Sequence, residues 1–174
     1  MASWFRRQRP RVEAPTLTPR DTTAAALRVD LSELAPSPDV FLGHCAALHL
    51  VFIEQLTTAM SNAPRVADKD ALARVSAVAL ERYQGIVAEL ERQQLDKTDV
   101  MQPHLESVEE FERRTQGGAW YEQVASAHVT IGFLTHFWVC LAAGLPGELR
   151  GRVVVALSAG DLEAAKELLA QIPA

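Results

Sequence analysis

The chain has 174 residues, 48 % of them hydrophobic and 22 % charged, with a net charge of −5 and a pI near 5.5. That is the size and make-up of one globular domain, which excludes a disordered polyelectrolyte, and the acidic balance argues against a dedicated nucleic-acid site. Two cysteines are too few for a disulfide framework.

Charge is unevenly placed. Residues 1–20 hold Arg6, Arg7, Arg9, Arg11 and Arg20 against Glu13 alone, so they carry +4 and the remainder carries −9. No apolar run follows Arg6 and Arg7, which fits neither a secretory nor a twin-arginine leader. Residues 1–36 read as a basic, proline-containing and mostly irregular arm suited to an acidic partner. Residues 37–174 read as the folded body, and the expected location is cytoplasmic.

The body starts at Ser37-Pro38-Asp39, where serine can cap, proline suits the first helical position and aspartate meets the positive helix end. Glu54 is the one charged residue between Asp39 and Arg65, and this helix is expected to end at Ser61-Asn62, before Pro64. A second helix opens at Asp68-Lys69-Asp70. Leu72, Val75, Ala79, Tyr83, Ile86 and Leu90 recur in it at helical spacing, with Arg74, Glu81, Arg82, Glu89, Glu91 and Arg92 on the wet side. Gly85 within it costs about 1 kcal/mol against alanine, which predicts a closely packed neighbour.

Residues 96–106 read as a connection containing Pro103. Ser107-Val108-Glu109-Glu110 then reads as the capping box of a short polar helix that stops at Gly117-Gly118. The third long helix, Ala119 to Gly144, belongs to a stretch with no Asp, Glu, Lys or Arg from Gln123 through Gly147. It is long enough to cross a bilayer, which takes about 20 apolar residues. His128 and His136 within it, and Glu122 and Glu148 in place of basic flanks, favour a buried bundle helix over a transmembrane span. A fourth helical region follows Pro146, broken at Gly160, with Asp161 capping its second piece. No segment reads as a strand, and there is neither a phosphate-binding glycine loop nor a nucleophile elbow.

Two long helices, a connection with a short helix and two more helical segments make a four-helix bundle with a long crossover. From about Phe41 to Leu169 the chain resembles the ferritin-like, tRNA-hydroxylase-like proteins of actinobacteria. The resembling segments are LHLVFIEQLTTAM, DKDALARVSAVALERYQGIVAELE and, most closely, MQPHLESVEEFERRTQGGAWYEQVASAHVTIGFLTHF. The resemblance implies an all-α, ferritin-like fold. For active members it implies two irons, held by an acid from each of two helices and a Glu-x-x-His pair from each of the other two.

No Glu or Asp in this chain is followed three residues later by His. On the family pattern Glu54 takes the first-helix carboxylate position. Leu80 and Tyr83 take the second-helix pair, Ile131 the third-helix acid, and Ser158 and Asp161 the last pair. The implied diiron site is degenerate, leaving Glu54, Tyr83 and Asp161 as a residual polar centre with no cofactor expected. The reading is a non-catalytic binding or scaffold protein. A diiron tRNA-hydroxylase-like oxygenase is the alternative, and a membrane-associated helical protein a second one.

Cys45 and His49 are four residues apart, as are His136 and Cys140. With Glu54 level with Ile131 in an antiparallel pairing, the two pairs face each other as a tetrahedral zinc set. Cys45 lies nine residues from Glu54, about half a turn around the helix, so this set points out of the bundle. The same orientation sends Phe52 and Leu56 outward beside Val129, Phe133 and Phe137. A continuous apolar patch of that kind predicts a homodimer through Phe52, Leu56, Phe133 and Phe137. The competing cover is the arm together with residues 96–116.

Overall fold

A computed structural model describes residues 31–160. The basic arm through residue 30, Asp161 and the second piece of the last helix lie outside the described residues. Five α-helices follow one another: α1 (Pro38–Ser61), α2 (Val66–Arg92), α3 (Lys97–Thr115), α4 (Trp120–Leu141) and α5 (Gly147–Leu157). Short 3₁₀ turns occupy Leu31–Leu34 and Ala142–Gly144, and there is no strand among the described residues.

Local chemistry sets most boundaries. Pro38 opens α1, and the chain leaves it at Asn62, just before Pro64. Arg65 donates from Nε and Nη2 to the Asp68 carboxylate at 2.8 and 2.6 Å, which closes the first turn of α2. Gln94, at φ 57°, reverses the chain after α2. The Glu122 carboxylate accepts from the amides of Gly118 and Ala119, both at 2.9 Å, and so caps α4.

Residues 97–106 are helix, which corrects the connection expected over 96–106. Asp96 caps the 19-residue α3 by accepting from the amides of Thr98 and Asp99 at 2.8 and 3.1 Å. Ser107 lies in mid-helix, its hydroxyl donating to the His104 carbonyl, so no helix starts there. Pro103 removes one ladder bond and commonly marks an end. Here Met101 and Val108 are both buried on α1's flank, and packing on both sides of the proline holds the helix together.

α1 and α2 form an antiparallel hairpin. α4 runs antiparallel to α1, with Phe41 edge-on to Trp138 at one end and the Trp120 Nε1–H donating to the Ala59 carbonyl at the other. α5 runs antiparallel to α2, pairing Arg152 with Glu89 and bringing Ala156 against Gly85. A Cβ on Gly85 would lie 2.7 Å from the Ala156 methyl, so the neighbour predicted at this glycine is α5. α3 lies outside the four, along the remaining flank of α1. A Cβ on Gly43 would sit 2.1 Å from the Val100 carbonyl oxygen, so these two backbones touch.

The rotation of α1 differs from expectation by about half a turn. Phe52 is 2 % and Leu56 3 % exposed, and Cys45 and His49 are buried with them, while Glu54 is exposed. An unpaired carboxylate is costly to bury, whereas the Phe52 and Leu56 side chains gain by burial. Phe52 and Leu56 therefore belong to the core and cannot contribute to a dimer face. α4 is oriented as expected, with Val124, Ile131 and Trp138 inward.

Candidate functional site

The polar residues of the interior come from α1, α2 and α4. His49, 1 % exposed, places Nδ1 2.8 Å from the Cys45 carbonyl oxygen one turn earlier. Nδ1–H therefore donates, and Nε2 carries the lone pair. Nε2 is buried and has no protein partner. Burial pulls the imidazole pKa from 6.5 down to about 4; the Cys45 hydrogen bond opposes the fall and the Arg82 charge adds to it. His49 is thus neutral near pH 7. Burial also pushes the Cys45 thiol far up, which keeps it protonated and unreactive.

Arg82 enters the same space from α2 and is 5 % exposed. Its Nε donates to the Ala159 carbonyl at 2.9 Å, and Nη1 makes a long contact of 3.4 Å with Thr135 Oγ1 on α4. Among the described residues no carboxylate pairs with it. Burial lowers its pKa, yet a guanidinium stays charged in a protein. A cavity of about 10 Å³ separates the two groups, walled by Phe52, Val75, Val78, Ala79 and Ile131.

Glu89 is another buried ionic group. It is held by Arg92 on its own helix and by Arg152 Nε of α5 at 2.8 Å, so it ties α2 to α5. Both Arg82 and Glu89 are buried, against the expectation that they lie on the wet side of α2. Their spacing was the available signal: 75, 79, 82, 86 and 89 run down one face of α2.

Among the described residues the expected polar centre does not assemble. Glu54 lines a groove with Glu109, Glu112 and Arg113 of α3, and no hydrogen bond joins it to Tyr83 among the described residues. Tyr83 packs half-buried against the core, Leu80 and Ser158 are exposed, and Ile131 is buried. The zinc set does not assemble either. Cys45 and His49 lie in the core, whereas His136 is exposed with Cys140 Sγ 3.7 Å from its Nε2. No group of three or more metal-ligating side chains converges among the described residues.

Outside the core, α4 presents Val129 and Phe133 at 67 % and 68 % exposure, with the Phe137 ring stacked on Phe133. Beside them a groove of about 270 Å³ runs between α3 and α4, lined by Leu48, Val108, Phe111, Leu134, Phe137 and Trp138. His44 closes one end, stacked on His104 at 4.9 Å and edge-on to Trp138 at 5.1 Å. Burial, and then the neighbouring His104, lower the pKa of His44.

A helical hairpin, a crossover carrying one extra helix and a second antiparallel pair define the ferritin-like class of bundle. A family model described as a ferritin-like domain of actinomycetes matches residues 39–171, and the chain belongs to that family. No curated protein matches the chain.

Proposed function

We propose that this protein is a non-catalytic binding or scaffold module, built on a ferritin-like bundle whose metal centre is lost. The observation that supports this is Arg82, a buried guanidinium inside the bundle, where a diiron centre would need carboxylates. A fixed cation repels a metal cation, and among the described residues neither Glu54 nor any other carboxylate forms an ion pair with it. The rival is a diiron oxygenase like the tRNA hydroxylases. It needs hard oxygen ligands, and Glu54 faces solvent. Untagged protein incubated with ferrous iron without oxygen and then desalted should retain no stoichiometric iron. Two irons per chain would overturn the reading.

The binding face of this reading is the outer side of α4, and its occupant a second copy of the chain. The stretch carries no charge from Gln123 through Gly147, while the whole protein carries −5. Two copies can bring this face together without like-charge repulsion. Phe133→Glu should then convert a dimer into a soluble monomer in sedimentation velocity. A wild-type chain that sediments as a monomer at tens of micromolar removes the dimer. The same exposed apolar face favours a membrane surface as the second reading, which co-flotation with lipid vesicles tests.

A further inference from the structure

His49, whose Nε2 has no protein partner, lines a small cavity between α1, α2 and α4. We propose that this cavity binds one water molecule, which donates a hydrogen bond to His49 Nε2 and accepts one from the Arg82 guanidinium. Three observations converge on that ligand. The lone pair of Nε2 is buried and unpartnered, because Nδ1–H is committed to the Cys45 carbonyl at 2.8 Å. The cavity that His49 lines measures about 10 Å³, and roughly 10–15 Å³ is the least that holds a water. The one other polar group in the lining is Arg82, which can only donate.

The chemistry selects the occupant. Nε2 needs a donor and Arg82 needs an acceptor, so the ligand must do both with a single heavy atom. A chloride-like anion would satisfy Arg82 and face the lone pair unfavourably. A metal cation would satisfy Nε2 and face the guanidinium. An apolar atom would leave Nε2 unpaired. Water does both jobs, and through it the imidazole of α1 is tied to the guanidinium of α2, which itself reaches Thr135 on α4. The inference is separate from the metal-free reading, since iron loading tests that one and water counting tests this one.

The test uses the full chain labelled with ¹⁵N. In the wild type the His49 Nε2 resonance should sit where hydrogen-bonded acceptor nitrogens resonate. A His49 ring proton should show a cross-relaxation peak to a long-lived water. Deuteron relaxation dispersion should count one fewer long-lived water in His49→Leu, which fills the cavity, and in Arg82→Met, which removes the donor. A bare-lone-pair shift with no water peak overturns the proposal, as does an unchanged water count in folded variants. Should either variant fail to fold, the wild-type spectra together with a high-resolution crystal structure decide it: a single oxygen between His49 and Arg82 supports the site, and a dry cavity or an anomalously scattering ion there overturns it.

Discussion

As strings, α1 and α4 are nearly equal: their most apolar windows have mean hydropathies of 1.4 and 1.5, and both are long and apolar enough to cross a membrane. As parts of the molecule they differ, with 61 % of the α1 window buried against 28 % for α4. The difference lies in their neighbours. α1 packs against α2, α3 and α4, so an apolar surface on nearly every side is covered. α4 packs against α1 and α5 but makes little contact with α3, so Val129 and Phe133 stay in solvent. Hydropathy counts apolar residues; it does not count the helices available to cover them. For α1 the face of Phe52 that a second copy was expected to cover packs on α2 and α4, and the crossover helix covers the opposite face at Gly43.

Truncation should expose the contrast most strongly. Phe52→Ala empties a filled core position, and Phe→Ala changes there cost about 3–5 kcal/mol. Phe133→Ala removes a side chain that is 68 % exposed, and its effect on the monomer should stay within about 0.5 kcal/mol. Denaturant unfolding of the two variants measures both. Similar losses would mean that α4 is as well covered as α1.

Acid should act through α1 with the next largest effect. The folded-state pKa of His49 is about 4 against 6.5 for the free group. As pH falls through 6.5 the unfolded chain takes up a proton and the folded chain does not until pH 4. The contribution is therefore fully present above pH 6.5 and is lost between 6.5 and 4, by about 3 kcal/mol. Half-buried His44 acts in the same direction. His49→Leu should flatten the stability-against-pH slope in that window, and the exposed His136→Leu on α4 is the control. An unflattened slope in His49→Leu would remove burial as the cause.

What could be read in advance followed from signals that act locally. Pro38, Pro64 and the Gly117-Gly118 turn bound their helices as placed, and the uncharged run of α4 fixed a long helix. Pro103 misled because its penalty is local, while the packing of Met101 and Val108 that outweighs it is tertiary. Glu54 misled through the family pattern: once a carboxylate is assumed to face inward, Cys45, His49, Phe52 and Leu56 are all turned out. Arg82 and Glu89 stand in the register of the apolar stripe, but apart from Arg92 beside Glu89 their partners are distant. Ala159 is 77 residues from Arg82, and Arg152 is 63 from Glu89. Burying a charge depends on such partners, and the pattern of α2 alone does not contain these two.

The smallest effects should come from two glycines, and their signs should be opposite. Gly43 of α1 lies where a Cβ would be 2.1 Å from the Val100 carbonyl oxygen. That contact is backbone, so Gly43→Ala must push α3 away, a strain of about 1–3 kcal/mol. Gly132 of α4 has nothing within 4 Å of where its Cβ would stand. There the substitution meets no neighbour and gains the helix propensity of alanine, about 1 kcal/mol. Thermal unfolding at low protein concentration should therefore lower the midpoint for Gly43→Ala and raise it for Gly132→Ala. Concentration then sharpens the comparison. If a second copy lays its backbone against Gly132, the added methyl intrudes, and the gain shrinks or reverses as protein concentration rises. A gain constant over concentration leaves the Gly132 side of α4 outside the dimer contact, and a loss at every concentration would show that a neighbour within the chain already packs there.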